Sequence, residues 1–233
     1  MTPRERLIVA VDVPKADAAN ELVDRLAGRV GLFKLGSQAF TAAGPELVRE
    51  VVGRGERVFL DLKFHDIPNT VAGAVASAAQ LGVSLATVHG LGGRAMLEAA
   101  VGALPAMGTK LLAITILTSH DEATLGEIGV GGGVSDSVKR LALLAKDAGM
   151  DGVVASPHEV ALVREACGPG FLIVTPGIRP AGAASGDQAR AATPAMALRA
   201  GADYVVVGRP ILEAADLAAA AAALVAEIAS ALP

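Results

Sequence analysis

The chain has 233 residues, 52% of them apolar and 19% charged, which suits one sizeable core and excludes a disordered polypeptide. A balance of 20 Lys and Arg against 24 Asp and Glu leaves a net charge of −4, so nothing draws the whole surface to nucleic acid or an anionic membrane. A single cysteine, Cys167, excludes an intrachain disulfide, and 3% aromatics without Trp exclude an interleaved stacking platform for single-stranded nucleic acid.

The first apolar run starts at Leu7 and is broken by Asp12, too short for the hydrophobic region of a signal peptide. It opens a series of eight short, β-branched runs, at residues 7–13, 31–36, 58–63, 85–89, 111–117, 152–156, 171–175 and 204–208. Their continuous apolarity predicts parallel strands covered by helices on the outer face. Helical spacing of Ala, Leu, Glu and Arg fills the intervals at residues 16–26, 46–54, 71–81, 137–148, 159–166 and 194–200. Glycines 28, 55, 82, 149, 168 and 201 follow these stretches, where a left-handed cap is wanted. The Ala-rich tail over 217–232 predicts a closing amphipathic helix. Its apolar stretch between Asp216 and Glu227 is well below the roughly 20 residues of a membrane span. The expected protein is soluble and cytoplasmic, with no membrane association.

Eight βα units in 233 residues is about 29 residues each, the spacing of a compact (β/α)8 barrel. With no linker or composition break, residues 1–233 are expected to form one α/β domain. A doubly wound open sheet is the alternative. It would show edge strands, and the glycine fingerprint for a dinucleotide is missing after the first strand. The intervals after strands five and seven are long and predict active-face loops, candidate lids over a site. The first contains Thr118, Ser119, His120, Asp121 and the Gly-rich residues 129–133. The second contains Gly177, Ile178, Arg179, Pro180 and residues 182–188.

The third strand carries the most information. Residues two apart share a face of a strand, so Asp61 and Lys63 point one way and Leu60, Leu62 and Phe64 the other. The apolar set belongs against the helices, which turns Asp61 and Lys63 to the barrel mouth. Asp12 and Lys34 end the first two strands. Four charges therefore converge on the C-terminal face, where barrel enzymes keep their chemistry. A structural salt-bridge cluster is the competing explanation, but buried ion pairs stabilise poorly compared with apolar packing. Neighbouring carboxylates favour the cationic form of lysine, which disfavours a Schiff base and suits stabilisation and protonation of a carbanion. An Asp that repels a substrate carboxylate beside such a Lys points to decarboxylation without a cofactor. At the end of strand eight, Gly208 and Arg209 precede a helix. Backbone N–H groups and a guanidinium there suit a phosphate, with Arg179 and Gln188 of the seventh loop placed to close over it.

Taken together, Ala10-Val11-Asp12, Phe33-Lys34-Leu35-Gly36, the run from Asp61 through Lys63 and Asp66 to Ile67-Pro68-Asn69-Thr70, Leu117-Thr118-Ser119, Thr175-Pro176-Gly177-Ile178-Arg179-Pro180, Asp187-Gln188 and Val207-Gly208-Arg209-Pro210 resemble the orotidine 5′-phosphate decarboxylase family, in its short bacterial type. The match spans the chain and departs at no motif position. The Asp-x-Lys-x-x-Asp core also occurs in related phosphosugar barrels, whereas its extension to Asp-Ile-Pro-Asn-Thr is more specific. The resemblance implies conversion of orotidine 5′-monophosphate to UMP in pyrimidine biosynthesis, with no metal and no organic cofactor. It implies a catalytic array of Lys34, Asp61, Lys63 and Asp66, in which Lys63 protonates C6. It gives ribose contacts to Asp12 and Lys34, pyrimidine contacts to Thr118 and Ser119, and phosphate contacts to Gln188, Gly208 and Arg209 with Arg179 beside them. It further implies a homodimer in which Asp66 and Thr70 cross into the partner's site. The rivals are a metal-dependent sugar-phosphate decarboxylase, synthase or epimerase, and a non-catalytic nucleotide-binding barrel.

Four histidines, at 65, 89, 120 and 158, fall near predicted strand ends, but the His-x-His pair that opens many metal-dependent barrel sites is missing. They are expected to serve in loops or in hydrogen bonds behind the site. Asp121 and Glu122 are expected to begin a helix at its positive dipole end. Residues 129–133 lack the Lys-Ser/Thr of a P-loop and are expected to be loop. Cys167 is expected to be an inert helix-end residue.

Overall fold

The computed structural model describes residues 1–105, 108–180 and 192–232. Its eight strands are β1 (Leu7–Ala10), β2 (Leu32–Gly36), β3 (Val58–Phe64), β4 (Leu85–His89), β5 (Lys110–Ile114), β6 (Gly152–Val154), β7 (Leu172–Thr175) and β8 (Tyr204–Val207). Each pairs in parallel with the next and β8 pairs with β1, closing a barrel in strict sequence order. Closure removes the edges that an open sheet would have to protect.

The outer layer comprises α1 (Ala16–Leu26), α2 (Ser37–Gly53), α3 (Pro68–Gln80), α4 (Gly93–Gly102), α5 (Glu122–Glu127), α6 (Val134–Asp147), α7 (Val160–Cys167), α8 (Pro194–Arg199), α9 (Arg209–Leu212) and α10 (Leu217–Ala231). Side chains thread apart in two sets. Ile8, Leu32, Phe59, Leu85, Leu112, Val174, Tyr204 and Val206 fill the barrel interior. Val9, Phe33, Leu60, Val88, Ala113, Ile173 and Val207, one residue out of step, pack against the helices. This alternation is the period of two expected of strands buried on both faces.

All six predicted cap glycines have positive φ, from 67° at Gly28 to 111° at Gly201. Gly152 in β6 serves a different need, since a Cβ there would collide with the carbonyl of Leu172 on β7. Asp121, Thr193 and Asp216 cap α5, α8 and α10 through side-chain oxygens. The predicted helix at 46–54 is the second half of α2, which kinks at Gly44 (φ 66°) ahead of Pro45. Four strands, β1, β5, β6 and β8, stop earlier than their predicted runs. Val11 and Ile116 lie beyond β1 and β5 yet are 0% and 5% exposed, so burial in the loops extends the hydrophobic run past the ladder.

Candidate active site

β2 and β3 carry Lys34, Asp61 and Lys63 toward the C-terminal mouth, and Asp12 lies two residues beyond β1. Lys34 Nζ lies 3.2 Å from Asp12 Oδ1 and 3.8 Å from Asp61 Oδ2, and Lys63 Nζ lies 2.8 Å from the same Asp61 Oδ2. The four charges thus form one line of alternating sign, Asp12–Lys34–Asp61–Lys63. Its centre is the drier part: the side chains of Asp61 and Lys34 are 12% and 13% exposed, against 50% for Asp12 and 37% for Lys63. Gly36, at the end of β2, leaves space for the line. A Cβ there would stand 3.2 Å from Lys34 Nζ and 3.5 Å from Asp12 Oδ1.

Lys63 has φ 52°, the one positive value at a non-glycine among the described residues. It lies where the β3–β4 register shifts, between Leu60↔Ala86 and Phe64↔Val88, so that β3 advances four residues while β4 advances two. A bulge of this kind bends the strand and re-aims a side chain. Its freed backbone N–H goes to Thr87 Oγ1 at 2.9 Å, and the Thr87 hydroxyl donates to Asp61 Oδ1 at 3.0 Å. Sequence reasoning passed over Thr87. The available signal was a single hydroxyl in the otherwise apolar strand Leu85-Ala86-Thr87-Val88.

The charged line forms one wall of a cavity of about 310 Å³. Phe59, Ile114, Val154 and Val206 make its apolar floor. The opposite wall is made by Gly177, Ile178 and Arg179 after β7 and by Gly208 and Arg209 after β8. The loop after β7 is anchored by a bridge between Ile178 and Ala192, with the Arg179 N–H donating to the Ala192 carbonyl at 3.0 Å. Gly208 is not demanded by packing within the protein, because a Cβ there would meet only Ala10 Cβ, at 3.5 Å.

Of the predicted site residues, Asp12, Lys34, Asp61, Lys63, Thr118, Arg179, Gly208 and Arg209 line this cavity. Asp66, Thr70 and Ser119 do not. They are exposed on the rim, and the Asp66 carboxylate accepts from the backbone N–H of Ile67. Gln188 lies outside the described residues.

His65 and His89 stack behind Lys63 with ring centroids 5.2 Å apart. Burial first, then the charges of His65, Lys63 and His120, lowers the His89 pKa to about 4. His89 is therefore neutral near pH 7, and its Nδ1 accepts from the Leu91 N–H at 3.3 Å. Asp121 caps α5 as expected; hydrogen bonds from Thr124 hold its carboxyl below the usual range. Cys167 ends α7, buried, with burial pushing its thiol up. Among the described residues no group of His, Cys, Asp and Glu is arranged to hold a metal ion, and no helix is long and apolar enough to cross a membrane.

A closed (β/α)8 barrel with alternating Asp and Lys at its mouth, facing an Arg-bearing wall after β7 and β8, defines a barrel that takes a small anionic substrate at its C-terminal face. The family model described as "Orotidine 5′-phosphate decarboxylase / HUMPS family" matches residues 5–224, and the chain belongs to that family. An orotidine 5′-phosphate decarboxylase of Moorella thermoacetica is 55% identical over 236 residues, covering 98% of this chain and 94% of its own. One from Halorhodospira halophila is 58% identical over 228 residues, covering 97% of each. The crystal structure of the Lactobacillus acidophilus orotidine 5′-phosphate decarboxylase superposes with a TM-score of 0.84 at 39% identity, covering 95% of this chain and 98% of that one.

Proposed function

We propose that the chain decarboxylates orotidine 5′-monophosphate to UMP, a step of pyrimidine biosynthesis. One observation carries the reading: the line Asp12–Lys34–Asp61–Lys63 and the Arg179/Arg209 wall share one cavity. A nucleotide placed with its phosphate at Gly208 and Arg209 would span toward Lys63, with Thr118 beside the base and Asp12 and Lys34 beside the ribose. The C6–carboxylate bond breaks, carbon dioxide leaves, and the electron pair stays on C6. A proton then passes from Lys63 Nζ to C6, and solvent returns it to the lysine. Asp61 disfavours the substrate carboxylate, while the Lys63 ammonium favours the charge that develops at C6. The binding energy of the phosphate is available to close the loops after β5 and β7 and to exclude water.

The reading includes a homodimer. Asp66 and Thr70 do not line the cavity that holds the charged line of their own chain, and Ile67 between them is 67% exposed. Supplied from a second copy, Asp66 would extend the alternation beyond Lys63. The resemblance adds Ser119 on the base side and Gln188 on the phosphate side. The whole chain is read as one domain acting in the cytoplasm.

The test is loss of the orotate absorbance from orotidine 5′-monophosphate in the presence of EDTA. Conversion to UMP supports the reading. A folded sample that leaves the nucleotide intact, or that turns over only after a divalent ion is added, overturns it.

A further inference from the structure

We infer that Thr87 is a positioning residue that holds the reactive pair Asp61 and Lys63 in register. The inference rests on the decarboxylase reading proposed above. Thr87 is 0% exposed, on the interior face of β4 in line with Leu85. Nothing in packing asks for a hydroxyl at this place, since valine has nearly the same shape, prefers strands equally and would bury no polar atom. The hydroxyl is nonetheless used both as donor and as acceptor. Its one proton goes to Asp61 Oδ1 at 3.0 Å, and a lone pair accepts the Lys63 backbone N–H at 2.9 Å.

Both partners need that atom. In the bulge of β3, Lys63 stands at φ 52° and its N–H has left the regular ladder. Without Thr87 Oγ1 a part-buried donor would lose its partner at a residue already in a disfavoured backbone conformation. For Asp61, binding Oδ1 fixes the rotation of the carboxylate. Oδ2 is then the oxygen offered to Lys63 at 2.8 Å and to Lys34 at 3.8 Å. One oxygen therefore couples the backbone of the proton donor to the carboxylate that holds its ammonium. The link runs through Asp61 and Lys63, whereas the phosphate is assigned to Gly208 and Arg209, so it bears on the reacting centre rather than on phosphate binding.

Thr87→Val, Thr87→Ser and Thr87→Ala are compared with the unaltered enzyme for kcat and KM on orotidine 5′-monophosphate. Thr87→Val is expected to lower kcat roughly 10- to 100-fold, the size of a lost hydrogen bond to a charged group, with KM moving less than about threefold. Thr87→Ser keeps the hydroxyl and is expected to stay within about threefold of the parent. Should valine prevent folding, the serine and alanine variants isolate the same hydroxyl. A kcat loss below about fivefold on removing it, or a loss that serine does not restore, overturns the inference while leaving the decarboxylase reading intact. An unaltered enzyme without turnover defeats that reading instead. The crystal structure of Thr87→Val then decides the positioning role by itself. Lys63 leaving positive φ, or a turned Asp61 carboxylate, supports it, and an unchanged pair overturns it.

Discussion

Lys63, proposed above as the proton donor, also holds a backbone conformation that an L-residue resists, and the two properties can be separated by replacing it with alanine and with glycine. Both substitutions remove the ammonium. Each is expected to cost roughly 10⁴-fold or more in kcat, since a general acid contributes about 10²–10⁴ and a lost electrostatic partner about 10²–10³. Stability separates them. A left-handed conformation costs an alanine about 1–2 kcal/mol and glycine nearly nothing. Glycine gives back about 0.5–1 kcal/mol through its freer unfolded chain. With φ at 52°, Lys63→Gly is therefore expected to be the more stable variant by about 0.5–1 kcal/mol. For a chain of 233 residues that corresponds to about 1–4 °C in Tm. Calorimetry on the two purified variants, beside the orotidine 5′-monophosphate assay, reads both effects. At an ordinary strand position the order is reversed, with glycine below alanine by about 0.5–1 kcal/mol. A Lys63→Gly variant less stable than Lys63→Ala would refute the argument that the bulge strains the residue.

Four further outcomes are expected. Arg209→Ala should damage turnover of the whole nucleotide far more than turnover of the nucleoside lacking phosphate, and Gly208→Ala should leave Tm within about 1 °C while raising KM, because a Cβ there would make only an ordinary contact with Ala10 yet would stand at the cavity wall proposed to take the phosphate; equal losses on both substrates would defeat the phosphate assignment. His89, held neutral with a pKa near 4, binds fewer protons folded than unfolded, so its contribution to stability is complete above pH 6.5 and is lost as pH falls toward 4. Thermal melts of His89→Gln between pH 7 and pH 4.5 should show a smaller acid shift than the parent. Arg164 donates to the carbonyls of Gly168, Phe171 and Gly201 and to Asp203 Oδ2, all on the side of the barrel away from the cavity; Arg164→Met should cost about 2–4 kcal/mol, seen as a Tm fall, with kcat retained.

The barrel was legible because its regularities are dictated by burial. β-branched runs at steady spacing mark strands covered on both faces, and the cap glycines mark where helices must turn back. The missed parts are those in which one signal was diluted. α4 (Gly93–Gly102) lacks a clear polar face and is bounded by glycines at both ends, so it carries no helical period strong enough to read. The first half of α2 is hidden by Gly44 and Pro45, which read as a break. The charged line was legible from alternation alone, because Asp61 and Lys63 cannot both face the helices that Leu60, Leu62 and Phe64 require. Thr87 was not, since a hydroxyl within a strand is equally compatible with a bond to the nearest carbonyl. Only the bulge explains its role, and the bulge is a matter of register between two strands distant in sequence. Asp66 and Thr70 are expected from the resemblance to act in a second copy's site.

The energetics of the mouth argue that it is kept for chemistry. The barrel interior is apolar at the levels of Ile8, Leu32, Phe59, Leu85 and Leu112. Above them, the next positions on β2 and β3 are Lys34 and Asp61 rather than a further apolar layer. Replacing a buried ion pair by well-packed apolar groups is often neutral or stabilising, so this layer adds little to the fold that Val or Leu could not. It also requires a bulge, a left-handed lysine and a buried threonine spent on hydrogen bonding. Each of these departs from the most stable choice, and all meet within one contiguous set of contacts around Asp61. A salt-bridge cluster retained for stability would be expected to relax such strain. One retained to place a single ammonium against a forming carbanion has to keep it, because the position of Lys63 Nζ depends on the very turn of backbone that costs energy.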